Sequence, residues 1–170
     1  MPMSPLSFSI PQRAVHWLMA LFILFNLLFA ESMEHVADAL EDGVPPAADD
    51  LFGANLHAYV GISILALAIL RLCLRFLQGV PEAPAVEPPA LKIAAKITHG
   101  LLYLLFFAMP LSGIAAYYGG VEVAGFVHGG PMKLLMWILL VVHISGALVH
   151  QFYWKTEVLA RMTHGVRKQV

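Results

Sequence analysis

Four apolar stretches, each long enough to cross a lipid bilayer, dictate what this chain can fold into. They lie near residues 12–31, 54–77, 95–118 and 131–154. A hydrocarbon core of roughly 30 Å needs about 20 apolar residues at about 1.5 Å of rise each. In lipid the backbone must satisfy its own N–H and C=O groups, which four such stretches do as helices. Composition agrees: 59% of the residues are hydrophobic and 12% charged, too few charges to coat a soluble domain of this size. The expectation is an all-α, integral-membrane four-helix bundle, a single membrane domain over residues 1–170, solvated by membrane lipid. No nucleic-acid partner is expected. The first run follows Arg13 but is longer than a signal-peptide core, and "NLLFAESM" has no A-x-A cleavage pattern, so it is read as a retained helix.

The connecting segments set the orientation. Arg13 flanks the first span. Arg71, Arg75, Lys92 and Lys96 flank the proline-rich second loop, and Lys155, Arg161, Arg167 and Lys168 follow the last span. The first loop has no Lys or Arg but carries Glu31, Glu34, Asp38, Glu41, Asp42, Asp49 and Asp50. The third, "YYGGVEVAGFVHGGP", holds Glu122, with Lys133 just beyond it. Cations accumulate on the cytoplasmic side of membrane proteins, so both termini are expected there. The membrane expected is the bacterial inner membrane.

Against this apolar background stand the histidines. His143 and His150 are seven residues apart in the fourth span, which returns the helix to within about 20° and separates them by about 10 Å. Met136 shares that stripe, and Gly146 leaves room one turn past His143. His16 and His99 fall near the cytoplasmic ends of spans one and three. His57 lies near the outer end of span two, and His128 just before span four. Imidazoles are costly against lipid and face the bundle interior. A lone histidine at a helix end is ordinarily an interfacial hydrogen-bonding residue, and His35 and His164 are read that way. The rest, at two depths, suggest two metal or cofactor sites. Zinc would want a tetrahedral Cys, His or carboxylate cluster, and no carboxylate lies within a span. Haem needs one imidazole from each of two helices and an apolar slot. Cys73 is the only cysteine, so covalent haem attachment through C-x-x-C-H is excluded. On depth alone His143 and His150 are equally good partners for His16.

The stretches "QRAVHWL", "LHAYVGISILALAILRLCLRF", "THGLLYLLFFAMPLSGI" and "VHISGALVHQFYWKTEVLARM" resemble the bacterial cytochrome b561 family of four-helix di-haem membrane proteins. They are more distantly similar to the cytochrome b subunits of membrane hydrogenases and formate dehydrogenases. The resemblance implies haem b, two expected and one possible, with His16 and His143 as ligands of the inner haem. The outer haem would use His57 and a second imidazole at the outer end of span four. It also implies that His99 and His150 line a cytoplasmic-side pocket for ubiquinone or menaquinone, with Trp154 and Lys155 at its mouth. Arg71 and Arg75 would pair with inner propionates, unless they are simply cytoplasmic anchors.

Two features depart from the family. Its outer ligand sits fourteen residues before the position of His143, which here is Gly129; His128 comes one residue earlier. A helix starting at Pro131 leaves His128 in a flexible loop, from which it is expected to reach the outer haem, with Met132 in reserve. Some family members resemble superoxide oxidases, so a quinone-linked oxidoreductase of that type is one expectation. Superoxide, being an anion, is steered by positive potential, and this outer loop is acidic. It suits a basic electron-carrier protein at least as well. The function expected is electron transfer between an outer-face donor and membrane quinone. The alternatives are a cytochrome b anchor subunit of a larger oxidoreductase, or a haem-free histidine relay for protons or metal.

Overall fold

The structure, a computed structural model, describes residues 5–166; Arg167 and Lys168, counted among the flanking cations, lie outside them. Its elements are α1 (Ile10–Leu28), α2 (Glu31–Glu41), α3 (Ala48–Gln78), α4 (Pro89–Tyr117), α5 (Glu122–Val127), a π turn (His128–Met132), α6 (Lys133–Phe152) and α7 (Val158–Met162). The described residues contain no strand. Four helices are long and apolar enough to cross a membrane: α1, α3, α4, and the continuous run Glu122–Phe152. The protein is an all-α membrane bundle, crossing the bilayer several times.

Local chemistry sets the helix ends. Ser9 caps α1 reciprocally with Gln12: its hydroxyl accepts from the Gln12 N–H, and the Gln12 side chain accepts from the Ser9 N–H. Gly79 stops α3 with a φ of 72°, open to glycine without strain. Pro81, Pro84 and Pro88 keep the next segment out of helix, and Pro89 starts α4 at a position where a missing N–H costs nothing.

The fourth span differs from expectation. The helix begins at Glu122, not at Pro131, and runs through the proline to Phe152. In an α-helix the Pro131 ring would clash with the carbonyl four residues back. Widening the turn to a π turn over His128–Met132 relieves that clash and absorbs one extra residue. His128 is therefore on a helix, not in a flexible loop.

Burial is inverted relative to a soluble bundle. Only 11–22% of each spanning window is buried, and the outward faces carry Leu21, Ile69, Leu104, Ile138, Val141 and Leu148. Lipid is the solvent for such a surface. The core is a narrow seam that includes Met19, Ala68, Leu102, Leu105, Met136 and Leu139. Alternation of the spans brings the start of α1, the end of α3 and α7 together at what we term the terminal end. There Gln12 Nε2 donates to the Gly79 carbonyl at 2.9 Å, Arg13 Nη1 to that of Thr163 at 2.7 Å, and Trp17 Nε1 to that of Met162 at 3.0 Å. At the opposite, loop end, α2 is tied to α6 by Glu34 and Lys133, 3.9 Å apart.

Candidate functional site

The seam ends in a cluster of imidazoles at each level. Toward the terminal end, His16 of α1 faces His143 of α6 with ring centroids 6.2 Å apart and planes at 69°. His99 of α4 also stands against His143, with ring centroids 5.2 Å apart. His16 is about 9 Å along its helix from the start of α1, and His143 about 13 Å from the end of α6, a difference that side chains span. His150 makes no ring contact with His16; its ring lies 4.8 Å from Trp154. Arg71 and Arg75 reach this level from α3. Arg71 Nε donates to the Tyr103 hydroxyl at 3.2 Å, and both guanidinium carbons lie about 6 Å from the Tyr103 ring centre. The Arg71 charge acts on both His16 and His143.

Toward the loop end, His57 of α3 faces His128 of the π turn, again with centroids 6.2 Å apart and planes at 72°. His128 and His143 are fifteen positions apart, one of which the π turn absorbs. The spacing is thus equivalent to fourteen α-helical residues, the family spacing from which the chain had departed. His128 is held from α4. Its Nδ1 donates to the Met109 carbonyl at 2.8 Å and lies 3.2 Å from the Ser112 hydroxyl, which itself donates to Met109 at 2.9 Å. That leaves Nε2 with a free lone pair, as in an imidazole prepared for a metal. Gly113 makes the room: a Cβ there would stand 3.0 Å from His128 Cε1. His57 Nδ1 is buried and closes no hydrogen bond of good geometry, although the Phe29 carbonyl lies toward the ring. Met132 turns its sulfur to the Ser112 hydroxyl, 3.7 Å away.

These distances allow a test of fit. An iron bonded to two imidazole nitrogens at about 2 Å each sets the ring centroids roughly 6.3 Å apart. Both pairs are at 6.2 Å. The donor set is imidazole alone at both levels, and no cluster of three or more His, Cys, Asp or Glu suited to a bare metal ion occurs among the described residues. The residues present fit haem.

Beyond His143 the terminal end carries a polar group that sequence reasoning had left in a loop. His150 Nε2 faces Glu87 Oε1 at 3.6 Å, with both side chains at most one-tenth exposed. Its Nδ1 is 2.9 Å from the Thr156 hydroxyl. Glu87 was legible only as an acid between prolines; nothing in its spacing predicts burial against α6. Lys155 lines a cavity of about 440 Å³ with Gln151, Phe152, Thr156, Glu157 and Ala160. Its backbone is left-handed at φ 51°, uncommon without glycine. His35 and His164 lie outside both levels, His35 beside Asp50 and His164 beside Thr163.

Comparison with known proteins bears on nearly the whole chain. The pattern described as prokaryotic cytochrome b561 matches residues 7–165. Cytochrome b562 of Cereibacter sphaeroides is 39% identical over 151 residues, 89% of this chain and 91% of its own length. Cytochrome b561 homolog 1 of Escherichia coli K12 is 29% identical, covering 91% and 96%. A protein of Yersinia pestis named probable superoxide oxidase CybB is 24% identical, covering 91% and 94%.

Proposed function

Since this chain belongs to the prokaryotic cytochrome b561 family, whose members are membrane electron-transfer proteins with b-type haem, we propose that it carries two haems. On this reading it moves electrons between a donor at the loop end and quinone at the terminal end. The observation that carries the proposal is the repetition of one geometry: two inter-helix imidazole pairs, each 6.2 Å between centroids, at opposite ends of one seam. His16 and His143 hold one group, His57 and His128 the other. A b-type haem bound at each level supplies reversible one-electron carriage. Arg71 and Arg75, steadied by Tyr103, offset propionate charge. His99 and His150 line the quinone site, with Trp154 and Lys155 at its mouth and a His150 nitrogen toward a quinone carbonyl.

The whole chain acts as one membrane domain in the bacterial inner membrane. The cation bias supports a cytoplasmic terminal end, and the acceptor on this reading is ubiquinone or menaquinone. At the loop end the acids of α2 dominate, and Lys133 is already paired with Glu34. That surface suits a basic electron-carrier protein. Superoxide, brought in by the name of the Yersinia relative, is the competing donor.

Haem extracted and counted per chain, with a reduced-minus-oxidised spectrum, tests the reading. Two b-type haems are expected, one in His143→Ala, and two with loss of quinone reduction in His150→Ala. A colourless wild type sinks it. A reduction rate by a basic c-type cytochrome that falls with added salt supports the protein donor; salt-independent reduction by superoxide alone reverses the choice.

A further inference from the structure

The terminal end contains a buried acid that axial ligation and quinone binding leave unused. Glu87 is 7% exposed and sits in the proline-rich segment between α3 and α4. Its N–H donates to the Pro84 carbonyl at 3.3 Å, closing a turn. Arg161 Nη1 grips the same segment through the Glu82 carbonyl at 2.7 Å. Pro88 and Pro89 fix the chain just after it. A carboxyl held this firmly out of water needs a partner, and its partner is His150 at 3.6 Å.

The tautomer of His150 can be read from its neighbours. The Thr156 hydroxyl donates to the His150 carbonyl at 3.3 Å, so its oxygen accepts from Nδ1–H at 2.9 Å. Nε2 is then the nitrogen that gains or loses a proton, and Nε2 is the one that faces Glu87. The other groups near the pair are Trp154, just past the end of α6, and His99 on α4, which the Glu87 charge reaches, with Arg71 and Arg75 acting on His99 from α3.

We propose that Glu87 and His150 hold one proton between them and deliver it to quinone, Glu87 acting as the positioning and reloading residue for His150. The inference rests on the quinone reading above. Reduction of one quinone to quinol takes two electrons, which originate from the donor at the loop end, and two protons. In each protonation the His150 Nε2–H bond breaks as an O–H bond forms on the reduced quinone oxygen. The Glu87 carboxylate then takes a proton from water at the terminal end and passes it to Nε2, which restores the pair. The second proton follows the same path, so atoms and charge balance with quinone as the species reduced. An amide at position 87 can neither hold nor pass a proton, which must then come straight from solution, where it becomes scarcer as pH rises.

The test uses haem-loaded protein in lipid nanodiscs and a short-chain ubiquinone analogue. Glu87→Gln is expected to keep both haems and their midpoint potentials. Its rate of quinone reduction should fall by about 10- to 100-fold at neutral pH and continue falling into alkali, where the wild type holds level. Glu87→Asp should restore part of the rate and flatten the profile, which a merely structural loss would not. A wild-type rate and pH profile in Glu87→Gln overturns the inference. Should that variant lose haem, the Glu87→Asp profile decides in its place, and a profile parallel to the wild type overturns the inference. A readout independent of quinone separates this proposal from the one it rests on. In quinone-free protein, an infrared carboxyl band that responds to pH should vanish in Glu87→Gln and shift in His150→Ala. If the wild type reduces no quinone, the functional reading fails. If it does but the infrared band is unchanged in both variants, the proton pair fails.

Discussion

His128 shows how one residue is prepared for its role by neighbours that are not themselves ligands. Its Nδ1 is committed to Met109, its ring is steadied by Ser112, and Gly113 is where the ring lies against α4. A methyl at Gly113 would stand inside ordinary contact with Cε1, and the ring must yield by a few tenths of an ångström. Gly113→Ala is therefore expected to weaken haem at the loop-end level by about tenfold while leaving the other haem in place, as read by haem titration of the apoprotein. A different imidazole carries a pH effect. The hydrogen bond that His35 Nδ1 donates to Asp50 at 2.9 Å, and next the Asp50 charge, raise the His35 pKa above the ordinary 6.5, with smaller help from Glu31 and Asp38. A raised folded-state value means the contact supports the docking of α2 fully below about pH 6.5 and is lost as pH climbs through the raised value. Asp50→Asn should bring the His35 titration, followed by NMR, back toward 6.5. At this scale the histidines were legible because an imidazole in an apolar span is conspicuous. Glu87 and Gly113 were not, since burial and ring contact are made by segments distant in sequence.

At the scale of elements, the π turn decides the fate of the loop-end level. The sequence supplies the surplus residue and the proline, and both argue for breaking the helix. Only packing against α4 shows that the helix continues instead. Pro131 read from local rules alone as a start signal, and those rules do not price the hydrogen bonds that His128 gains by staying in register. Deleting Gly129 in a Pro131→Ala background removes the surplus residue together with the ring that would clash, turns the π turn into an α turn and keeps His128 facing His57. Two haems per chain should survive that deletion. Inserting an alanine between Gly130 and Pro131 rotates His128 by about 100° and should cost one haem. Retention of both haems in the insertion variant would deny the π turn its register role. The four spans themselves were plain in the sequence, since bilayer thickness and hydropathy set their lengths almost without reference to one another. Their boundaries were less so, because α3 and α4 extend past the apolar windows on polar turns such as Ala48–Leu51 and Pro89–Lys92.

For the molecule as a whole, opposite ends have opposite character. Acids crowd the loop end, while Arg13, Arg71, Arg75 and Arg161 gather at the terminal end. On the orientation proposed above, a Glu41→Cys protein in a Cys73→Ser background should react in intact spheroplasts with a membrane-impermeant maleimide. Labelling only after lysis would invert the topology. Fold class was readable because lipid leaves a chain of this composition few options. The choice of His143 over His150 as the partner facing His16 was not, because tilt and helix extension set relative depth, and neither has a local sequence signature.

The ties between Arg13 and Thr163, Trp17 and Met162, and Ser7 and Val166 carry a topological consequence. A bundle whose two tails are already bonded to each other is a ring with a single nick. Such a ring can be sealed by a short linker between the tails and reopened at the exposed bend around Gly43. The four spans, the two imidazole pairs and the Glu87–His150 contact would then be reached in a new chain order, with no helix cut and no partner exchanged.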